Sequence, residues 1–199
     1  MIRTSLSIAA GLTTAVLLVS GTPAQAAVSA KDLPKKGDIV KAFPEMADAE
    51  FTSFTTKKNS APGETCDTSK LVKVKRLTSI RSVSSTSASY VQSTVVEHSS
   101  AGKVKAYLKS YEKYAKDCAS FTQSATGATV TTTLGKAPKL GQSTVMLQQE
   151  TTVAGVISYS TVVFIGDGKR SAAVVAIDDA AIPASAIKQL AKVTAKKMK

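Results

Sequence analysis

The sequence has no tryptophan, a single histidine and a single asparagine among its 199 residues. One histidine and two widely separated cysteines do not form the paired ligand sets of structural zinc sites. The nucleophile elbow Gly-x-Ser-x-Gly, the P-loop and the His-Glu-x-x-His motif are absent as well. We therefore expect no metal site, no cofactor and no catalytic residue. The protein is accordingly not expected to be an enzyme.

The single histidine, His98, is the one candidate for acid–base chemistry. A general base of this kind needs a nucleophile and an orienting carboxylate. Glu97 is adjacent and serines are abundant, but nearness in sequence does not supply the required geometry. A polar residue at the junction of a strand and a helix is the simpler interpretation, so a hydrolase is the least favoured function.

The first 26 residues have the pattern of a secretory signal peptide. A short positive segment ending at Arg3 precedes an apolar run over residues 6–19, and Ala24-Gln25-Ala26 offers a cleavage site. The apolar run is shorter than the roughly 20 residues of a membrane-spanning helix. We expect cleavage after Ala26, no transmembrane segment, and one secreted domain over residues 27–199, free or associated with the cell envelope.

The two cysteines both lie in the part of the chain that is expected to be exported. Export together with an even number of cysteines favours one disulfide, between Cys66 and Cys118. A pair of metal ligands is the alternative, and the spacing does not favour it.

The central helix is predicted over residues 104–118, with Ser99 or Ser100 as its N-cap. At 100° per residue one face carries the apolar and aromatic side chains, and the opposite half carries lysines. The apolar face consists of Val104, Tyr107, Leu108, Tyr111, Tyr114, Ala115 and Cys118, and the lysines are Lys105, Lys109, Lys113 and Lys116.

The rest of the chain alternates between strands and two further helices. A short helix is predicted over residues 36–43, and a terminal amphipathic helix begins at Pro183 with Lys188, Lys192 and Lys196 on its polar side. β-branched, alternating segments predict strands at residues 50–56, 71–84, 88–97, 129–134, 144–153, 156–165 and 171–177. Residues 57–65 have the composition of a polar loop. The order predicts an α+β fold, a twisted antiparallel sheet with helices packed on one face.

This layout resembles the PknH-like extracellular sensor-domain family of actinobacteria. The features that carry the resemblance are the export signal, the short helix ending at Phe43-Pro44, Cys66 before a hairpin, the helix ending at Cys118, the long meander and the terminal helix. The resemblance implies a twisted antiparallel sheet, disulfide support and a ligand-binding cleft. Those relatives typically have two disulfides, whereas two cysteines allow one, and neither a kinase domain nor a lipid-attachment cysteine is recognisable in this sequence.

The formal net charge of +12 indicates which partners could be attracted. An exported protein without an aromatic and basic recognition motif is not expected to bind nucleic acid. Anionic envelope polymers or lipid headgroups are plausible partners for the two lysine faces, and a solvated surface is the simpler interpretation. The contact residues would be Lys105, Lys109, Lys113, Lys188, Lys192 and Lys196.

The favoured function is a secreted, monomeric, non-enzymatic ligand-binding or sensor-like domain. Its small-molecule site is predicted between the central helix and the sheet, where tyrosines combine apolar area with a hydrogen-bonding tip. The candidate lining residues are Tyr107, Tyr111, Tyr114 and Tyr159. The alternative is a structural or adhesive envelope protein that acts through its lysine-rich faces.

Overall fold

The structure, a computed structural model, describes residues 27–199, so the predicted signal peptide lies outside the described residues. The three α-helices of this range are α1 (Lys36–Ala42), α2 (Ala101–Asp117) and α3 (Ala184–Lys197). The strands are β1 (Glu50–Pro62), β2 (Ser69–Val83), β3 (Tyr90–Glu97), β4 (Ser120–Thr122), β5 (Thr129–Leu134), β6 (Ser143–Val153), β7 (Val156–Asp167) and β8 (Arg170–Asp178). None of the described helices is long and apolar enough to span a bilayer.

All eight strands form one antiparallel sheet, in the order β1-β2-β3-β8-β7-β6-β5-β4. This confirms the predicted α+β class and both predicted units, the β2–β3 hairpin and the β6–β7–β8 meander. The tight turn between β6 and β7 places Ala154 and Gly155 at φ 48° and 82°, as two-residue hairpin turns require. The three-residue strand β4 was not predicted, because a segment that short carries no periodic signal.

Helices cover both faces of the sheet, so the expectation of helices on a single face was wrong. Along β7, Val163 and Ile165 belong to the core that includes α3, whereas Val162 and Phe164 pack in the core of α2. Successive side chains of a strand point to opposite faces. The central strands are therefore apolar on both sides, and the sequence alone does not assign each helix to a face.

The larger core lies on the face covered by α1 and α3. Ile187 and Leu190 of α3 and Ile39 of α1 are fully buried against β3, β7 and β8. The buried guanidinium of Arg170 contacts two groups on this side. Its Nη1 donates to the Met198 carbonyl at 2.7 Å and lies 3.2 Å from the Asp32 carboxylate. The C-terminal helix is thereby held to the start of β8.

The outer half of the β1–β2 hairpin, residues 58–73, is called the hairpin arm below. Residues 57–65 were predicted as a loop, but β1 continues to Pro62 and pairs with β2 as far as Ser69. The pairing register shifts between Thr56 and Lys58, and a bulge of this kind bends a strand. Lysines, an asparagine and a Pro-Gly pair gave the segment its loop-like composition, whereas cross-strand pairing determines its structure.

Candidate functional site

β1 and β4 are the two opposite edges of the sheet. The hairpin arm, which contains the outer half of β1, nevertheless meets α2 over one face of the sheet. Ser100 is the N-cap of α2, and its Oγ accepts a hydrogen bond from the Lys103 amide at 3.3 Å. The following 17 residues form α2, whose apolar side packs on β6 and β7. The space between arm, helix and sheet is where the candidate site lies.

Two contacts fasten the tip of the arm to the C-terminal end of α2, and a third joins it to Ser124, just after β4. Cys66 and Cys118 form the predicted disulfide, with their Cα atoms 5.5 Å apart. The Tyr114 hydroxyl donates to the Cys66 carbonyl at 3.2 Å, and the Ser124 hydroxyl donates to the Asp67 carboxylate at 2.6 Å. Hydrogen bonds from Ser124, and then Thr65, lower the pKa of Asp67 to about 2. The arm is therefore held in place covalently and by polar contacts.

An aromatic cluster forms the floor beneath the arm. The Tyr111 ring stacks on Phe164 of β7, with centroids 3.9 Å apart, and its hydroxyl donates to the Ser60 carbonyl at 3.2 Å. Tyr107 packs edge-on against both rings and lies 5.6 Å from the His98 ring. Burial raises the pKa of Tyr107 and of Tyr111, so both phenols are neutral at physiological pH.

An inner cavity of about 240 Å³ lies between this cluster and the sheet. Its walls come from the arm, α2 and strands β3, β7 and β8. None of the residues that line it is charged. They are Asn59, Ser60, Gln92, Thr94, Val96, Tyr107, Tyr111, Val162, Phe164, Ser171, Ala172, Ala173 and Val175.

Asn59 is the feature of the inner cavity that the fold itself does not explain. The residue is 9% exposed, and Nδ2 is buried without a hydrogen-bond partner. Burial raises the pKa of the Tyr107 phenol, and the Asn59 amide acts in the opposite direction and lowers it. Nδ2 nevertheless does not complete a hydrogen bond. An unsatisfied buried donor costs about 1–3 kcal/mol. Asn59 thus lines the cavity and carries a donor for which the fold supplies no acceptor.

An outer groove of about 440 Å³ runs along the other side of the arm. Tyr107 lines both spaces and separates them. The groove has an apolar floor that includes Ala61, Val74 and Ala106, and four lysines line it. These are Lys70, Lys73, Lys75 and Lys103.

His98 and Ser171 form a buried pair at the boundary between groove and cavity. Nε2 of His98 lies 2.8 Å from Oγ of Ser171, and the side chains are 5% and 1% exposed. Burial lowers the pKa of His98. Within residues 27–199 no carboxylate hydrogen-bonds to this imidazole, and no group of three or more His, Cys, Asp or Glu side chains could hold a metal ion.

The four predicted tyrosines do not form one wall. Tyr107 and Tyr111 line the inner cavity, whereas Tyr114 lines neither space and instead joins the arm to Gln149 of β6. Tyr159 was placed wrongly, because it shares the face of Val163 and Ile165, which is the face of α3. The alternation along β7 was predicted correctly, but not which helix covers which side.

The two predicted lysine faces lie on opposite sides of the molecule. Lys105, Lys109 and Lys113 are exposed on α2. Lys192 and Lys196 are exposed on α3, with Lys188 half-buried. Because α2 and α3 cover opposite faces of the sheet, one flat anionic surface cannot contact both rows of lysines.

Sequence reasoning missed Asn59, Ser171 and the groove lysines. Asn59 is the single asparagine of the chain, yet it stood in a segment interpreted as a loop. The basic character of the second strand at Lys73 and Lys75 was a visible signal. The sequence pattern does not reveal the path of the hairpin arm, so it does not show that these lysines line a groove.

Comparison with known proteins supports the fold. The chain matches no sequence family and no curated protein. Among solved structures it is similar to the crystal structure of the extracellular domain of PknH from Mycobacterium tuberculosis, with a TM-score of 0.61 and 14% sequence identity. The match covers 83% of this chain and 92% of that one. The chain thus shares the fold of that extracellular domain.

Proposed function

We propose that the protein is an extracellular, non-enzymatic, sensor-like domain that binds a small neutral molecule in the inner cavity. The unpartnered amide of Asn59 is the observation that carries this proposal. Buried polar groups in proteins are almost always hydrogen-bonded, so an exception calls for an explanation such as a bound molecule. A ligand with a carbonyl or ether oxygen would accept from Nδ2 and place its apolar part against Tyr111 and Phe164.

The absence of charge around the inner cavity supports a neutral ligand. An ion moved into such surroundings would lose its hydration without gaining a counter-charge. Gln92 adds a further, half-buried hydrogen-bonding group to the wall. Apolar surface with a few convergent polar groups is the usual composition of a small-molecule site.

The extracellular location is supported by the disulfide and by the neighbour in fold. Structural disulfides form in oxidising compartments and are rare in the cytosol. The similar crystal structure is of an extracellular domain. Both observations agree with the export signal expected from the sequence.

The His98–Ser171 pair supports binding more than catalysis. A serine nucleophile needs a base that is itself oriented by a third group. Among the described residues His98 hydrogen-bonds through its ring to Ser171 alone, and the hydroxyl is nearly inaccessible. We interpret the pair as a satisfied polar contact where β3 and β8 meet the start of α2.

The test is an NMR titration with a set of small neutral carbonyl compounds, applied to three forms of the protein. Asn59→Leu removes the donor with little change in side-chain size, and Thr55→Val is the matched control on the same strand, outside the cavity. Wild type and the control should bind the same compounds, with shifts at Tyr107 and Tyr111, and Asn59→Leu should bind about tenfold more weakly. Equal binding by Asn59→Leu, or no compound shifting these resonances, would refute the proposal.

A further inference from the structure

The outer groove has a free strand edge along one wall. β2 pairs with β3 only as far as the Arg76–Glu97 pair, so residues 69–75 have no strand partner on that side among the described residues. The chain turns away after Glu97, where the His98 amide donates to the Lys169 carbonyl at 2.8 Å. On the other side, residues 69–73 pair with β1.

The groove follows this edge rather than one face of the strand. Val72, Lys73, Val74 and Lys75 all line it. β2 has no strand neighbour on this side over residues 69–75, so its unpaired backbone edge lies along the groove. Backbone N–H and C=O groups along an unpaired edge are available to another strand.

One side of α2 forms the opposite wall. Lys103, Ala106, Tyr107 and Ser110 have the spacing i, i+3, i+4 and i+7 of a single helix face. Residues 70–75 extend for about 20 Å, the length of a six-residue strand. A strand edge facing a helix across an apolar floor is the geometry in which extended peptides add a strand to a sheet.

The positive charge of the groove favours an acidic occupant. Four lysines line it and no carboxylate does. Glu97, outside this lining, pairs with Lys75 at 3.5 Å. Lysines along an edge repel a second copy of the same edge, whereas an acidic strand would be attracted to it.

We infer that the outer groove binds an extended acidic peptide, which adds to the free edge of β2. Its alternate apolar side chains would face Ala106 and Tyr107, and the carboxylates on its other face would lie toward Lys73 and Lys75. This site does not depend on the proposed function, because Asn59 lines the inner cavity and not the groove.

The probe is a pool of capped octapeptides in which Glu or Asp alternates with Val, Ile, Leu or Phe, with a Lys-substituted pool as its control. The acidic pool should be retained by the protein, more strongly at low salt. Resynthesised binders should protect amides within residues 70–75 from hydrogen exchange. N-methylation of the peptide amides that face β2 should weaken binding about threefold to tenfold per position, because each blocks a backbone hydrogen bond.

Paired charge variants separate the groove from the overall charge of the protein. Lys73→Glu/Lys75→Glu should weaken binding about tenfold. Lys192→Glu/Lys196→Glu, the same charge change on α3, should leave affinity within about twofold. The inference fails if no acidic peptide is retained, if N-methylation has no effect, or if both double variants weaken binding equally. None of these outcomes bears on the inner cavity.

Discussion

The ring of Tyr111 stacks on the ring of Phe164 with centroids 3.9 Å apart, and it joins α2 to the middle of the sheet. The same tyrosine donates its hydroxyl to the Ser60 carbonyl of the hairpin arm. One side chain thus connects the three walls of the inner cavity.

Tyr111 should therefore contribute strongly to stability. Tyr111→Ala should lower the free energy of unfolding by about 3–5 kcal/mol, as expected for a large aromatic ring removed from a core. Tyr111→Phe keeps the stack and should cost about 1 kcal/mol, the value of one hydrogen bond. Urea unfolding measures both. Equal losses in the two variants would mean that the hydroxyl, not the ring, is the stabilising part.

Loss of the disulfide should release the hairpin arm. Cys66 and Cys118 are 52 residues apart, and the double change to serine should cost about 4 kcal/mol in the chain-entropy account. Hydrogen exchange should become faster in residues 58–73 before it does in the β6–β7–β8 meander. Unchanged protection of the arm would show that the Tyr114 and Asp67 contacts hold it without the covalent link.

Acid should loosen the tip of the arm through Asp67. The pKa of this group in the folded protein, about 2, is below its ordinary 3.8, so its contribution is fully present above about pH 4 and is lost as the pH falls toward 2. Hydrogen exchange of residues 63–68, followed from pH 5 to pH 2, should show this loss. The matched Asp67→Asn variant should lack that step, and a step of the same size in the variant would assign it to other carboxylates.

Asn59→Leu should make the protein more stable while it weakens ligand binding. Replacing an unsatisfied buried donor with an apolar group of similar size removes a desolvation cost, so the free energy of unfolding should rise by about 1–2 kcal/mol. Residues that serve a binding site often lower the stability of the folded protein. Thermal unfolding, with Thr55→Val as the control, measures the change. A clear loss of stability would show that the Asn59 amide has a structural partner.

Periodicity predicted much of the fold. The apolar face of residues 104–118, the hairpin of β2 and β3 and the meander after Ser143 follow from local pattern, and the structure contains all three. The Cys66–Cys118 pairing followed from export and an even number of cysteines. Each of these features depends on residues that are close in sequence or few in number.

The candidate site was less accessible from sequence, because it depends on contacts between distant segments. The hairpin arm looks like a loop until its pairing is known, and Asn59 lies in that arm. Tyr159 and Phe164 differ by an odd number of positions on one strand, so they face opposite sides. Since both sides of β7 are apolar, no local pattern indicates which side α2 covers.

Ligand binding in the inner cavity is tested most directly by a crystal structure of the protein grown with the tightest-binding neutral carbonyl compound from the titration. We expect density for that compound in the inner cavity, with its oxygen about 3 Å from Nδ2 of Asn59 and its apolar part against Tyr111. Density for the compound at another place, or a cavity that holds water alone at Asn59, would contradict this expectation.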